Sequence, residues 1–266
     1  MEKSQLLNMI KNNPYALRSI NDPTDEMKLT ALKSNGLLLE YIDNPSLQMQ
    51  ELALENNPMA IKYIKHPTEA MMIKAISGGW TNLEYMKEPS DTVIHLALRQ
   101  AGWAIKFIPN PSEELQLLAV SKNYDSIKYI KAPCVSVQEV AVSQSFDALR
   151  FINSPDPTAE LIAIRNNAEA IKFVTALDKN KIKEFLKVNY LVIKYVIKDI
   201  SKDELEEVLS EVLSQEAVDE TYVREYLNYN LLDDSDIKQM DKLRMIHRYG
   251  SKKAKKIAVD EKLKMK

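Results

Sequence analysis

Glycine is scarce in this chain: five of 266 residues, against roughly 7% in average proteins. Few glycines leave few sites for left-handed turns and tight hairpins. That disfavours a β-sandwich, a Gly-rich nucleotide-binding fold or a long flexible linker. A single cysteine, Cys134, excludes an intramolecular disulfide and a multi-cysteine zinc site. The three histidines, His66, His95 and His247, show no metal-ligand spacing. No run approaches the roughly 18 apolar residues that cross a bilayer, and the leading MEKSQLLNMIKNN lacks the apolar core of a signal peptide. The expectation is an all-α protein of the reducing cytoplasm, without membrane, metal or cofactor.

What is present is a repeat. Pro23, Pro45, Pro67, Pro89, Pro111, Pro133 and Pro155 stand 22 residues apart without a slip. Eight residues after each proline comes an alanine, from Ala31 and Ala53 through Ala163, and a Leu, Ile or Val follows it. Three residues before each proline stands Ile20, Ile42, Ile64, Met86, Ile108, Ile130 or Ile152.

Each unit reads as a helical hairpin. Thr24, Ser46, Thr68, Ser90 and Ser112 follow the proline, where a hydroxyl caps a helix by accepting from its free first-turn N–H groups; acids such as Asp25 and Glu113 suit the positive end of the helix dipole. Cys134 takes this place in the next unit, as a cap variant rather than a nucleophile. The first helix runs about ten residues. It ends at Asn35-Gly36, Asn57-Pro58, Gly78-Gly79 or Ala101-Gly102, where Gly or Asn suits a left-handed cap. About two turns of a second helix follow, as in Ala60-Ile61-Lys62-Tyr63-Ile64, until the next X-Pro. Helices this short are marginal alone, so the units must stack. The reading is an α-solenoid of about eight to nine helix-pair repeats over residues 1–200, whose last units lose the proline (Leu177, Asp199) and the alanine (Phe185, Glu207).

Residues 201–266 read as a helical cap with a basic tail. Leu205, Val208, Leu209, Val212 and Leu213 have amphipathic spacing, as do Tyr222, Val223, Tyr226 and Leu227, then Ile237, Met240 and Leu243; Ser201 and Ser235 are expected caps and Gly250 an expected stop. Residues 201–241 hold thirteen acids and three bases, whereas 242–266 hold ten bases and two acids. These blocks cancel within a total of 36 bases and 38 acids, so the net charge of −2 hides them. The tail is expected to be solvated and partly frayed.

The repeat also builds ladders. Five residues before each proline position lie Arg18, Glu40, Lys62, Glu84, Lys106, Lys128, Arg150, Lys172 and Lys194, and one residue later Tyr41, Tyr63, Tyr85, Phe107, Tyr129, Phe151, Phe173 and Tyr195. At about 100° per residue, Lys62 faces solvent and Tyr63 borders the core, so the rings are expected to pack between units.

Segments such as AIKYIKHPTEAMMIKAISGGW (60–80) and AIKFIPNPSEELQLLAVSKNY (104–124) resemble a short helical repeat of unknown function from bacteriophage and bacterial proteins. They are also similar to the leucine-rich repeat variant proteins, whose units pair an α-helix with a shorter, sometimes 3₁₀, helix. The resemblance covers about three quarters of the chain and implies a phage-encoded α-solenoid acting on a host protein, with no catalytic residues to carry over. With no catalytic motif and a periodic surface, the leading expectation is a non-enzymatic scaffold that binds a protein partner. The alternative is nucleic-acid binding by the basic ladder and tail. The candidate contact residues are Lys62, Lys106, Lys128, Arg150, Lys172, Lys194, Lys252, Lys253, Lys255 and Lys256.

Overall fold

The structure is a computed structural model and describes residues 2–230, 237 and 240–264. Among these every regular element is helical, in alternating long and short pieces that pack on their neighbours; the fold is an α-solenoid. Contacts divide the chain into two compact units, Met1–Ala132 and Pro133–Lys266.

In the first unit the long helices are α1 (Lys3–Asn12), α2 (Asp25–Ser34), α3 (Leu47–Asn56), α4 (Glu69–Ser77), α5 (Asp91–Gln100) and α6 (Glu113–Lys122). Each packs against the next and forms one layer. A second layer is made of six-residue 3₁₀ helices, among them Gly36–Tyr41, Pro58–Tyr63, Trp80–Tyr85, Gly102–Phe107 and Tyr124–Tyr129. The core between the layers is the set of repeat columns. Ala31, Ala53, Ala75, Ala97 and Ala119 are wholly buried, because a methyl at this place lets successive helices approach closely. Leu32, Leu54, Ile76, Leu98 and Val120 beside them are buried as well.

Local chemistry explains the caps. The side chains of Ser46, Thr68 and Ser112 accept from the N–H groups of Met49, Met71 and Leu115, as expected. Those of Thr24 and Ser90 accept no cap bond; the Ser90 hydroxyl donates instead to Glu69 Oε1 at 2.6 Å. The breaks differ from expectation. Asn35, Asn57 and Ala101 are extended, with φ of −151°, −147° and −153°, not left-handed. The asparagines serve the next helix instead. Asn13, Asn35 and Asn57 use Oδ1 to accept from the N–H two residues on, starting the 3₁₀ helix. Of the four breaks only Gly78-Gly79 uses a positive φ, 156° at Gly79; the left-handed residues otherwise lie at Asp22, Asn44, Glu88 and Asn110 (φ 49–54°), each directly before a repeat proline, and at Ala176 (φ 53°).

The second helix of each pair is also tighter than expected. A 3₁₀ helix turns 120° per residue, so residues three apart eclipse. Met59 and Lys62 therefore share the exposed side while Ile61 and Ile64 share the buried one. Gly102 shows how closely the layers meet: a Cβ there would stand 2.1 Å from the carbonyl oxygen of Ala119.

In the second unit α7 (Val135–Gln144), α8 (Pro157–Asn166) and α9 (Lys179–Val188) pack in succession as long helices, with Phe146–Phe151, Ala168–Phe173 and Tyr190–Val192 as short partners. Cys134 stands at the N-cap of α7, exposed and without a side-chain cap bond. After the brief α10 (Ile193–Val196) come α11 (Lys202–Leu213), α12 (Glu220–Asn228), α13 (Lys242–Tyr249) and α14 (Lys252–Lys264). Ser201 closes a capping box with Glu204 at the start of α11, and Gly250 ends α13.

These helices cover the last repeat. α11 packs on α9, and the Tyr222 hydroxyl donates to the Leu186 carbonyl at 2.8 Å. Tyr222 and Tyr226 meet Tyr190 edge-on at 6.2 and 5.0 Å. Burial pushes all three phenols above their ordinary pKa. Lys179, Lys183 and Lys187 of α9 pair with Glu204, Glu207 and Glu211 of α11, so acids that read as a cap's surface charge are partly spent on an interhelix ladder.

Two expectations for the C-terminal segment are corrected. Ile237 is buried in a turn and Leu243 is 44% exposed, so these with Met240 do not form one helix face. α13 instead starts after the Asp241 cap and buries Met245 and Ile246; Ser235 lies outside the described residues. The basic tail is not a frayed extension through residue 264: it is α14, which buries Ala254, Ile257 and Ala258 as it packs on α12 and α13.

Candidate functional site

The short helices carry the feature that best distinguishes this surface. The cation of each row lies over a ring, either the one that follows it in the chain or one that a later repeat or helix brings alongside. In the first unit Arg18 covers Tyr41 at 4.6 Å, Lys62 covers Tyr63 at 4.7 Å and Lys128 covers Tyr129 at 5.1 Å. Lys106 lies 4.5 Å from the Phe107 centroid and 5.3 Å from that of Trp80. In the second unit Arg150 covers Phe151 at 4.7 Å, Lys172 covers Tyr195 at 5.6 Å and Lys194 covers Tyr229 at 4.8 Å. Contacts of this kind contribute about 0.5–1 kcal/mol each when exposed.

The rings pack between neighbouring repeats as expected, Phe173 against Phe146 and Tyr41 and Tyr195 under Arg18 and Lys172 of the preceding repeat, but they stand further out than a core-bordering column. Tyr41, Tyr85, Tyr129 and Tyr195 are 40–42% exposed, and Tyr63, Phe107, Phe151 and Phe173 are half-buried. The 120° step moves the ring from the core edge to the rim, where the neighbouring cation shields its face. The basic column is exposed as expected: Lys62, Lys106, Lys128, Arg150, Lys172 and Lys194 all face outward.

Carboxylates temper this charge. Asp125 accepts from Lys128 at 2.8 Å and from the Trp103 indole at 2.7 Å. Partial burial works against the Asp125 carboxylate, but these two bonds outweigh it and hold its pKa below the usual range. Glu169 accepts from Lys172 at 2.5 Å. Lys128 and Lys172 are held above the ordinary lysine range, each chiefly by its carboxylate partner, and Lys62 by its contact with the Tyr63 hydroxyl. Sequence reasoning missed these acids, although their signal was present: an Asp or Glu three residues before a Lys eclipses it in a 3₁₀ helix. It also missed the tryptophans, which extend the ring set: Trp80 lies 6.5 Å from Trp103 and 6.2 Å from Phe107.

Lys252, Lys253, Lys255 and Lys256 are exposed on α14, a separate element from the short helices. Open grooves flank the short rows. One in the first unit, of about 930 Å³, is bordered by Lys62, Lys65, His66, Lys87, Tyr63 and Tyr85. One in the second, of about 720 Å³, brings Arg165, Lys187 and Lys194 near Asp219 and Glu225, and burial holds the Glu225 carboxyl above its ordinary pKa.

Other candidate chemistry is structural. His95 Nδ1 lies 2.7 Å from the Asp91 carbonyl oxygen and Nε2 3.7 Å from Glu114. Among the described residues no cluster of three or more His, Cys, Asp or Glu is placed to hold a metal ion, and no helix is long and apolar enough to cross a membrane.

The fold and this surface define the class, an α-solenoid with an exposed cation–ring face in each unit. No protein-family model, curated protein or solved structure matches the chain.

Proposed function

We propose that the chain is a non-enzymatic repeat scaffold whose short-helix rows bind a protein partner. The observation that carries this reading is the exposed tyrosine column with a Lys or Arg seated over its rings. Tyrosine and arginine are the side chains that most often dominate protein interfaces, because a ring buries much area at small entropic cost and its rim stays polar. Repeat scaffolds also present such rows as extended faces. The likeness of the units to a repeat of bacteriophage and bacterial proteins supports a phage-encoded modulator that acts on a host protein in the cytoplasm.

One observation favours a second reading, single-stranded nucleic acid. Lys106 between Trp80 and Phe107 offers a cation beside stacking surfaces. The carboxylates at Asp125 and Glu169 weigh against it, since they neutralise Lys128 and Lys172 where a phosphodiester would need them.

Affinity capture separates the readings. Wild-type protein and a variant carrying Lys106→Glu, Lys128→Glu, Arg150→Glu and Lys172→Glu are passed through native lysate, with and without nuclease. The scaffold reading expects a specific protein retained by wild type, lost by the variant and indifferent to nuclease. Retention that vanishes with nuclease, or no specific protein at all, refutes it.

A further inference from the structure

Resting on the scaffold reading, we infer that the groove between the 3₁₀ helices Pro58–Tyr63 and Trp80–Tyr85 is the docking point for an acidic peptide segment of the partner that carries one apolar or aromatic anchor. The groove is open and has a volume of about 930 Å³, room for a side chain and the backbone that flanks it. Its lining is layered. Ile64 is buried and Pro67 and Met72 are half-buried, so the bottom is apolar. Above them stand the rings of Tyr63, half-buried, and Tyr85, 40% exposed.

The rim is cationic. Lys62, Lys65, His66 and Lys87 are all exposed at its edge, with Glu88 as the opposing charge. Lys62 is occupied by the Tyr63 ring. Lys65, His66 and Lys87 have no ion-pair or hydrogen-bond partner among the described residues. An apolar bottom under an unpaired cationic rim is complementary to an apolar side chain flanked by carboxylates, the arrangement of an interface anchor within a polar rim.

The adjoining groove decides between a peptide and a nucleic acid. It shares Tyr63, Ile64, Lys65 and His66 with the first groove but adds Glu40 and Asp43. A phosphodiester carries a negative charge at every nucleotide and would have to run past those two carboxylates. A peptide can place a neutral or basic residue there.

The test uses the full chain and a fluorescein-labelled peptide with a central phenylalanine flanked by glutamates, followed by fluorescence anisotropy. Lys65 and Lys87 lie in exposed bends outside the helices, so the double variant Lys65→Glu, Lys87→Glu is expected to keep its circular dichroism and melting temperature. It should bind the peptide roughly tenfold or more weakly. A peptide with alanine for phenylalanine, or glutamine for glutamate, should lose a similar factor, while Lys198→Glu with Lys202→Glu, exposed lysines of the other unit outside the short-helix rows, should change nothing.

No saturable binding, or an affinity indifferent to the double variant, overturns the inference. Tighter binding of oligouridylate that the same reversals abolish also overturns it and gives the groove to single-stranded nucleic acid. The scaffold reading is judged separately. A lysate partner retained equally by wild type and by the Lys65→Glu, Lys87→Glu variant leaves the scaffold standing and removes the groove.

Discussion

Replacing Gly102 with alanine would probe the closest approach in the solenoid. A Cβ at this position would stand 2.1 Å from the carbonyl oxygen of Ala119 and 2.9 Å from its carbonyl carbon. Ordinary non-bonded separations are about 3.5 Å, so the shortfall exceeds about 1 Å. Both contacting groups are backbone, and no rotamer change relieves them. The 3₁₀ helix Gly102–Phe107 must instead move off α6. That movement would stretch the bond from the Gly102 N–H to Asn123 Oδ1, now 2.8 Å, and loosen the fully buried Ala119. Overpacking of this kind costs about 1–3 kcal/mol, and the weakened hydrogen bond adds up to about 1 kcal/mol. The stiffer unfolded chain returns about 0.4–1 kcal/mol. The net expectation is a loss of about 1–3 kcal/mol, read as a lower urea midpoint at constant slope. Ala168, in the same repeat column of the second unit, is the control: Ala168→Gly should cost less than about 1 kcal/mol. A Gly102→Ala protein as stable as wild type would refute the argument that close backbone approach, rather than turn geometry, requires glycine here.

Ala97→Leu should lower stability by about 1–3 kcal/mol, because the side chain is wholly buried in the alanine column; an unchanged melting transition would contradict the packing register. Ala176 holds φ at 53°, a left-handed conformation costly for a residue with a Cβ, so Ala176→Gly should raise stability by about 0.5–1 kcal/mol in urea titration, and a loss would count against it. Glu204 is held down to about 2 by the Ser201 backbone N–H and then by Lys179. Its folded value lies below its unfolded value of about 4.3, so its contribution is complete above about pH 4.3 and is lost as pH falls through about 2. Glu204→Gln should therefore flatten the acid limb of the stability profile over that window. An identical limb would show that the pair contributes nothing to acid sensitivity.

The solenoid could be read from the sequence because stacking imposes a period: Ala31 to Ala163 and their apolar neighbours must recur wherever one helix lies on the next. Ser46, Thr68, Ser112 and Ser201 were readable for the same local reason, a hydroxyl beside free N–H groups. The short helices were not. Whether Ala60–Ile64 winds at 100° or 120° per residue depends on the Asn57 bond at its start and on only six residues before the chain must turn, a constraint of closure rather than composition. That choice moved Tyr63 and its counterparts from the core edge to the rim and hid the cation–ring contacts. The left-handed turns at Asp22, Asn44, Glu88 and Asn110 were equally obscured, because the residue before a proline ordinarily prefers extended backbone. In the tail, the charges of Lys252 to Lys256 masked the small apolar face of Ala254, Ile257 and Ala258, which acquires meaning only once α12 and α13 are beside it.

The tyrosine-lined cap has a consequence for assembly. A row that accepts the next row of its own chain can equally accept a row of another copy. That contact is heterologous, joins unlike surfaces and need not close on itself, so it propagates into fibres. With Tyr222 and Tyr226 packed against Tyr190, α12 occupies at the last repeat the place that such a row would take.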